Sequence, residues 1–598
     1  MNDKDQGNYA DTGMLNFIRQ TTPGLIGMYD GKMGYKEAAE ESSTANNIWA
    51  YLKQTDGQNR SSRFNTTMYS KIKFMEGLSW DFNFNYGRRF DEYNSHTVPL
   101  ARYTFSNGEI ASTATTPDQM TTTWKSYAEE TYTLENILRY DKSFKGGHDL
   151  NVMVGYNEYF YKQYEHKQQK KGLIDPSISV HDAATEMQTS TGTAKDEALR
   201  SVFGRLNYIY NNKYILAFNG RYDGTSRFPH DDRYAFNPSG SVAWVLSEEN
   251  FFEPVRDVVN FLKLRFSYGS LGNQDLKENY YAYLATMGSG KISQILDGKQ
   301  PIGVSAPGLV AGNLTWEKVT TADWGMDINF LDNRLTATVD GYIRRTKDML
   351  TGGAELPNVL GTSEPLENAA DLKTTGWDLT VSWRDNVKLA GKTLNYGLSF
   401  NIGDSRSWIT KFSNDTGSLD SYYEGWEMGS IWGLETEGFF TSQEDIDNHA
   451  DQTQVASYIG TRPIAPGDLK FKDLNGDGKI DKGAWTIDDH GDYKIIGNSR
   501  ARYGFGFNMN ADWNGFDLSL FVQGVLKKNY SPSGDLYFWG IYAQPWTNIT
   551  KGNMYDHWTE ENPDAYWEIL NYVFGSDGLN ISLYKLCLLY TSPSPRDM

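Results

Sequence analysis

From Arg502 to Trp513 the chain alternates without interruption. Tyr503, Phe505, Phe507, Met509, Ala511 and Trp513 fall on one side of an extended strand, and Arg502, Gly504, Gly506, Asn508, Asn510 and Asp512 on the other. Asn514-Gly515 then predicts a tight turn, because both residues tolerate positive φ. A second arm answers with Phe516, Leu518, Leu520 and Val522 against Asp517, Ser519 and Gln523. Strands of soluble proteins run to about five or six residues. A strand that crosses a bilayer needs about 9–11 tilted residues, one face apolar and the other wet. This hairpin has the membrane length.

The rest of the composition is compatible with that reading. Hydrophobic residues make up 39% of 598 and mean hydropathy is −0.60, too polar for a helical membrane protein. No stretch approaches the roughly 18 consecutive apolar residues of a membrane-spanning helix. In a membrane β-barrel only alternate residues meet lipid, so the average looks soluble. The 39 tyrosines, 29 phenylalanines and 17 tryptophans suit the aromatic girdles of a barrel, although a glycan-binding sandwich would share them. A net charge of −19 argues against a nucleic-acid partner, which would require a basic stripe. The single cysteine, Cys587, leaves no disulfide framework. The opening MNDKDQGNYADTG lacks the basic and apolar regions of a signal peptide, so the expectation is that the true beginning lies upstream.

Residues 1–62 are polar and irregular and are expected to form a loop or partial strand region. Strand-like segments then come in pairs: 63–74 with 78–88, 127–144 with 149–164, 199–210 with 214–223, and 234–246 with 261–271. The series continues with 314–330 and 335–346, 372–384 and 393–405, the hairpin at 500–526, and one more segment at 579–589. Short connections (75–77, 145–147, 211–212, 331–333, 386–392, 514–515) alternate with mostly long ones (89–126, 165–197, 272–313, 348–370, 407–499, 529–578). Outer-membrane barrels have that asymmetry, with short periplasmic turns and long external loops. Long structureless loops are uncommon in compact soluble domains. The predicted fold is all-β: an antiparallel transmembrane β-barrel occupying 63–589, with about fifteen strands.

Several stretches carry a resemblance. GRYDGTSRFPHDDRYAFNPSGSVAWVLSEENFF (220–252), LKLRFSYGSLGNQ (262–274), LTWEKVTTADWGMDINFLDNRLTATVDGYIRRTKDML (314–350) and PGDLKFKDLNGDGKID (466–481) stand in order before the hairpin. They resemble the SusC/RagA group of TonB-dependent outer-membrane transporters of Bacteroidota. The resemblance implies a barrel of 22 strands around an N-terminal plug, a SusD-like surface lipoprotein as lid, and energy from TonB. Against that pattern the chain reads as a barrel fragment, incomplete at both ends. Its tail YTSPSPRDM (590–598) resembles translated adapter read-through. A partial barrel is expected to expose two strand edges and neither to insert stably nor to transport by itself.

Two groups of residues stand out as candidate sites. Asp473, Asn475, Asp477, Lys479 (through its carbonyl) and Asp481 match the start of an EF-hand-type calcium loop, with Gly478 at the turn position. Ala484 stands where the bidentate glutamate belongs, with Asp488 or Asp489 as substitutes, and a solvated Asx-Gly turn is the competing reading. Tyr422, Trp426, Trp432, Trp539 and Trp546 lie on the long loops as candidate substrate-stacking rings, against the plainer role of anchoring and packing those loops. No paired-histidine, nucleophile-elbow or phosphate-loop pattern appears, so no enzyme is expected.

The sequence thus predicts a TonB-dependent importer of oligosaccharides or peptides in the Gram-negative outer membrane. Arg221, Arg265, Asp340, Arg344, Asp378 and Arg384 are expected on its wet inner face. The rivals are a passive porin and a secreted calcium-dependent glycan-binding or adhesive β-protein.

Overall fold

The computed structural model describes residues 26–35, 47–53, 55–113, 117–276, 279–311, 314–352, 364–455, 463–529, 541–542, 551–567 and 571–572. Fourteen strands form one antiparallel sheet in strict sequence order. Numbered along the chain they are β1 (Thr55–Met75), β2 (Leu78–Thr97), β3 (Thr121–Phe144), β4 (His148–Leu173) and β5 (Ala184–Tyr210). Next come β6 (Tyr214–Thr225), β7 (Tyr234–Val245), β8 (Val259–Asn273), β9 (Glu317–Phe330) and β10 (Leu335–Gly352). The last four are β11 (Leu366–Leu389), β12 (Lys392–Lys411), β13 (Arg502–Trp513) and β14 (Phe516–Lys527). Fourteen of the predicted segments are therefore strands of one sheet, and the segment at 579–589 lies outside the described residues. Among the described residues β1 and β14 are the sheet's two edges.

The register sorts the side chains into two kinds of row. One runs Phe505, Ile402, Leu379, Val339, Met326, Leu264 and Trp244 across seven strands. The adjacent row, on the opposite face, runs Gly504, Gly403, Asp378, Asp340, Gly325 and Arg265. On the apolar face large side chains remain uncovered: Phe218 is 54% exposed, Phe236 56%, Val242 50% and Phe266 47%. A water-soluble sheet would turn this face into a core.

Two expectations need correction. The strands outrun their apolar pattern, so the connections are shorter than predicted. The loop expected at 165–197 shrinks to 174–183, the one at 348–370 to 353–365, and β2 and β3 extend into the one placed at 89–126. Above the apolar band both faces are polar, as in the run Lys167 to Lys171. The period-two signal disappears there while the ladder with β5 continues. The turn expected over 386–392 is likewise only Ala390-Gly391, at φ 48° and 75°. Its neighbours on that side, Asn211-Asn212 and Asn514-Gly515, also take positive φ at both positions, the handedness that two-residue hairpins require.

The second correction concerns the end of β13. Tyr503 adopts φ 55°, and the pairing with β14 passes from Arg502 to Gly504 without it. A left-handed residue inside a strand re-aims its neighbours. Arg502 accordingly donates to Asp404, whose register partner is Trp377 on the apolar face, rather than standing with Asn508 and Asn510.

Candidate functional site

The polar face supplies the first part of the site. All six charged residues expected to face inward share it by register. Asp340 and Asp378 are direct cross-strand partners, an unfavourable pair unless a cation intervenes. Arg265 provides the charge, donating to Asp340 at 2.8 Å and to Asp327 at 3.4 Å, and Lys263 lies 3.5 Å from Asp327. Further along the sheet Arg139 pairs with Asp81 at 2.7 Å, and Arg221 contacts Asp223 and Ser201. The face is a ladder of ion pairs built for water or polar cargo.

At the long-loop end the connections pack on one another. Phe228 is wholly buried with Leu276, Leu314 and Trp316, and Ala235, Ala282, Leu350 and Leu366 close around them. Trp316 Nε1 donates to the Arg233 carbonyl at 3.1 Å. Beside this core Arg227 pairs with Glu197 and lies 4.4 Å from the Tyr280 ring, while Tyr281 donates to Asp196 at 2.7 Å. Sequence reasoning missed this group. Its residues lie in four separate connections with no periodicity, and only the SRF of the 220–252 stretch marked the place.

The connection after β12 is a folded subdomain. Residues 425–428 extend the ladder along β12: Trp426 and Met428 exchange backbone bonds with Ile409 and Ser407. Two short hairpins follow, Ser430–Gly433 on Lys494–Asn498 and Thr436–Phe439 on Leu469–Phe471. A helical turn, Gln443–Asp447, starts at Ser442, whose hydroxyl accepts the Asp445 N–H. Leu434, Leu469, Phe471, Ile480 and Tyr493 form the core, and burial pushes the Tyr493 hydroxyl up to about 12.

The calcium-like stretch lies on this subdomain. Asp473 accepts from the N–H groups of Gly476 (2.6 Å) and Gly478 (2.9 Å), and Asp477 from that of Lys479 (2.8 Å). Asp481 Oδ1 accepts from Gly483 at 2.8 Å. The backbone N–H groups hold the Asp473 carboxyl below the usual carboxylate range, that of Gly478 first. Asp492, fully buried, accepts from Leu474, Asn475 and Asp481 and ties the stretch to the core. Among the described residues no three carboxylate, imidazole or thiolate side chains converge as a metal would require. The bonds drawn here are those of nested Asx turns.

The structure separates the candidate rings. Tyr422 is 46% exposed and meets Trp426 edge-on at 5.5 Å, with Tyr423 5.0 Å from the same indole. Trp432 packs against the subdomain core, with His490 at 5.1 Å and Trp485 at 6.3 Å. Trp539 and Trp546 lie outside the described residues.

Comparison with known proteins agrees with this geometry. Residues 2–459 match the family described as TonB dependent receptor-like, beta-barrel. TonB-dependent receptor P3 of Formosa agariphila is 28% identical over 80% of this chain and 46% of its own length. TonB-dependent receptor SusC of Bacteroides thetaiotaomicron is 31% identical over 66% of this chain and 39% of its own. The chain thus spans less than half the length of these relatives. The RagAB peptide importer in its open-open state superposes with a TM-score of 0.72 at 20% identity, over 94% of this chain and 56% of that one. The two-faced meander, its one-sided short turns and the matched residues lead to one assignment: the chain belongs to the TonB-dependent receptor β-barrel family.

Proposed function

We propose that the chain forms the wall and external vestibule of an outer-membrane importer of the SusC/RagA type. It would take up oligosaccharides or peptides with energy from TonB and with a SusD-like surface lipoprotein as partner. The observation that carries this reading is the inverted sheet, whose apolar face is uncovered while its polar face holds the ion pairs. Such a sheet suits lipid outside and water within, and closure would satisfy every backbone group in the bilayer. The folded connections at the long-loop end offer the polar, aromatic surface that a saccharide or peptide would meet. The names of the relatives, SusC and a peptide importer, agree with either cargo.

The test uses the protein in a Gram-negative host. A heat-modifiable band in the outer-membrane fraction is expected, together with uptake of labelled oligosaccharides or peptides that stops when TonB is deleted. TonB-independent permeation would make the protein a porin. Recovery in the soluble fraction would make it a secreted binding protein.

A further inference from the structure

The connection between β7 and β8, residues 246–258, differs from the other connections at the short-turn end. Its neighbours turn in two or three residues, whereas this one carries two 3-10 segments, Leu246–Glu248 and Asn250–Val255. It is held firmly. Ser247 and Phe252 are buried, the latter at 8% exposure, and the Arg256 guanidinium donates to the Ser247 carbonyl. Glu249 accepts from Tyr214 (2.7 Å), Trp244 (3.1 Å) and Lys213 (3.2 Å), which clamps the connection to the ends of β6 and β7.

This rigid connection nevertheless presents apolar side chains outward. Phe251 is 64% exposed, Val255 47% and Val258 59%, at the i, i+4, i+7 spacing of one helical face. Glu248, Glu253 and Asp257 stand between them. The exposed face continues the uncovered side of the sheet: the Phe251 ring meets Trp244 edge-on at 6.3 Å, and Trp244 stacks on Tyr214 at 6.4 Å. At its far side Leu331, 40% exposed, donates its N–H to the Val258 carbonyl at 3.1 Å. A flexible loop could fold such residues away, but one clamped at Glu249 and tucked in at Phe252 cannot.

We propose that residues 250–258 form an interfacial anchor whose Phe251, Val255 and Val258 enter the headgroup–acyl boundary of the periplasmic leaflet. The inference rests on the reading of the apolar face as lipid-facing. Aromatic rings belong at that depth, and the intervening carboxylates would stay in the aqueous headgroup layer. The anchor would fix the height of β7 and β8 against the membrane, a role the two-residue turns cannot take.

Single cysteines at positions 251, 255 and 258, in a Cys587→Ser background, would carry a nitroxide label. The protein would be reconstituted in phosphatidylethanolamine–phosphatidylglycerol vesicles, and the heat-modifiable band would establish that each variant folds. Val255→Cys and Val258→Cys keep small side chains and suffice if Phe251→Cys does not fold. At these positions oxygen is expected to relax the label more than a water-soluble nickel chelate, whereas a label at Asp257→Cys should show the reverse. Chelate-dominated relaxation at 251, 255 and 258, with oxygen-dominated relaxation at the sheet controls Leu216→Cys and Val242→Cys, would overturn the anchor alone. Chelate-dominated relaxation at the controls as well would overturn the lipid-facing reading, and the anchor with it.

Discussion

The sheet from β6 to β12 and the subdomain at 425–498 are built of the same antiparallel elements but dressed in opposite ways. In the subdomain Phe471 and Ile480 are fully buried and polar groups lie outside. In the sheet Phe218 and Val242 are half exposed or more, while Arg265, Asp340 and Asp378 share the other face. Local backbone propensity does not distinguish the two regions. The difference is the surroundings each face meets: water drives apolar groups inward in one, and a hydrocarbon exterior removes that drive in the other. The small region therefore depends on its core, and the large one on its hydrogen-bonded ladder and on lipid.

The largest effect expected from this contrast is at Phe471. Truncation to alanine should cost about 3–5 kcal/mol, more than a subdomain of this size is likely to spare without local opening. Hydrogen exchange should rise across 434–493 while amides of β6 to β11 stay protected. Equal loss of protection in the strands would show that wall and subdomain unfold as one unit and would break the comparison.

A change of sign is expected on the sheet, where polarity rather than volume is penalised. Phe218 lies between Leu216 and Tyr222 on the uncovered face of β6, with Tyr214 at the turn end. Phe218→Arg should cost about 2–4 kcal/mol if it sits near mid-membrane. Asn219→Arg, one residue on and facing the ion-pair side, should cost about 0.5 kcal/mol or less. Denaturant titration of the heat-modifiable band measures both. Equal costs would mean that the two faces of β6 meet the same surroundings.

The band was legible in the sequence because lipid imposes a period of two on every strand that crosses it. Leu78, Trp80, Phe82, Phe84 and Tyr86 declare the face of β2 without any knowledge of its neighbours. Beyond the band that pressure ends, which is why the outer halves of β4 and β5, rich in Lys, Gln and Thr, read as loop. The subdomain was opaque for a different reason. Its core unites Leu434, Leu469, Ile480 and Tyr493 from well-separated turns, and no short window contains the pattern. Asp492 looked like one more loop carboxylate, although it is the group that ties the 473–481 stretch down. The break at Tyr503 carried no signal either, since tyrosine does not favour positive φ.

The smallest effect sharpens the comparison at the subdomain's surface. With Asp473 accepting from Gly476 and Gly478, the turn closes through backbone N–H groups. Protease cutting within 470–490 should then rise in Asp473→Ala, whether or not calcium is present, and a chelator alone should leave the unaltered protein as it was. Acid should imitate the substitution. The folded-state pKa of Asp473 is lowered, so its contribution is complete above the unfolded value of about 3.9 and is lost as pH falls through the lower one. Asp445, held below the usual range first by the Lys470 ammonium at 2.7 Å, should act in the same direction. Cutting should therefore stay low at pH 5 and increase below about pH 4. Cutting that rises with chelator at neutral pH, and falls again when calcium is restored, would instead make the 473–481 stretch a metal loop and place a cation among its carboxylates.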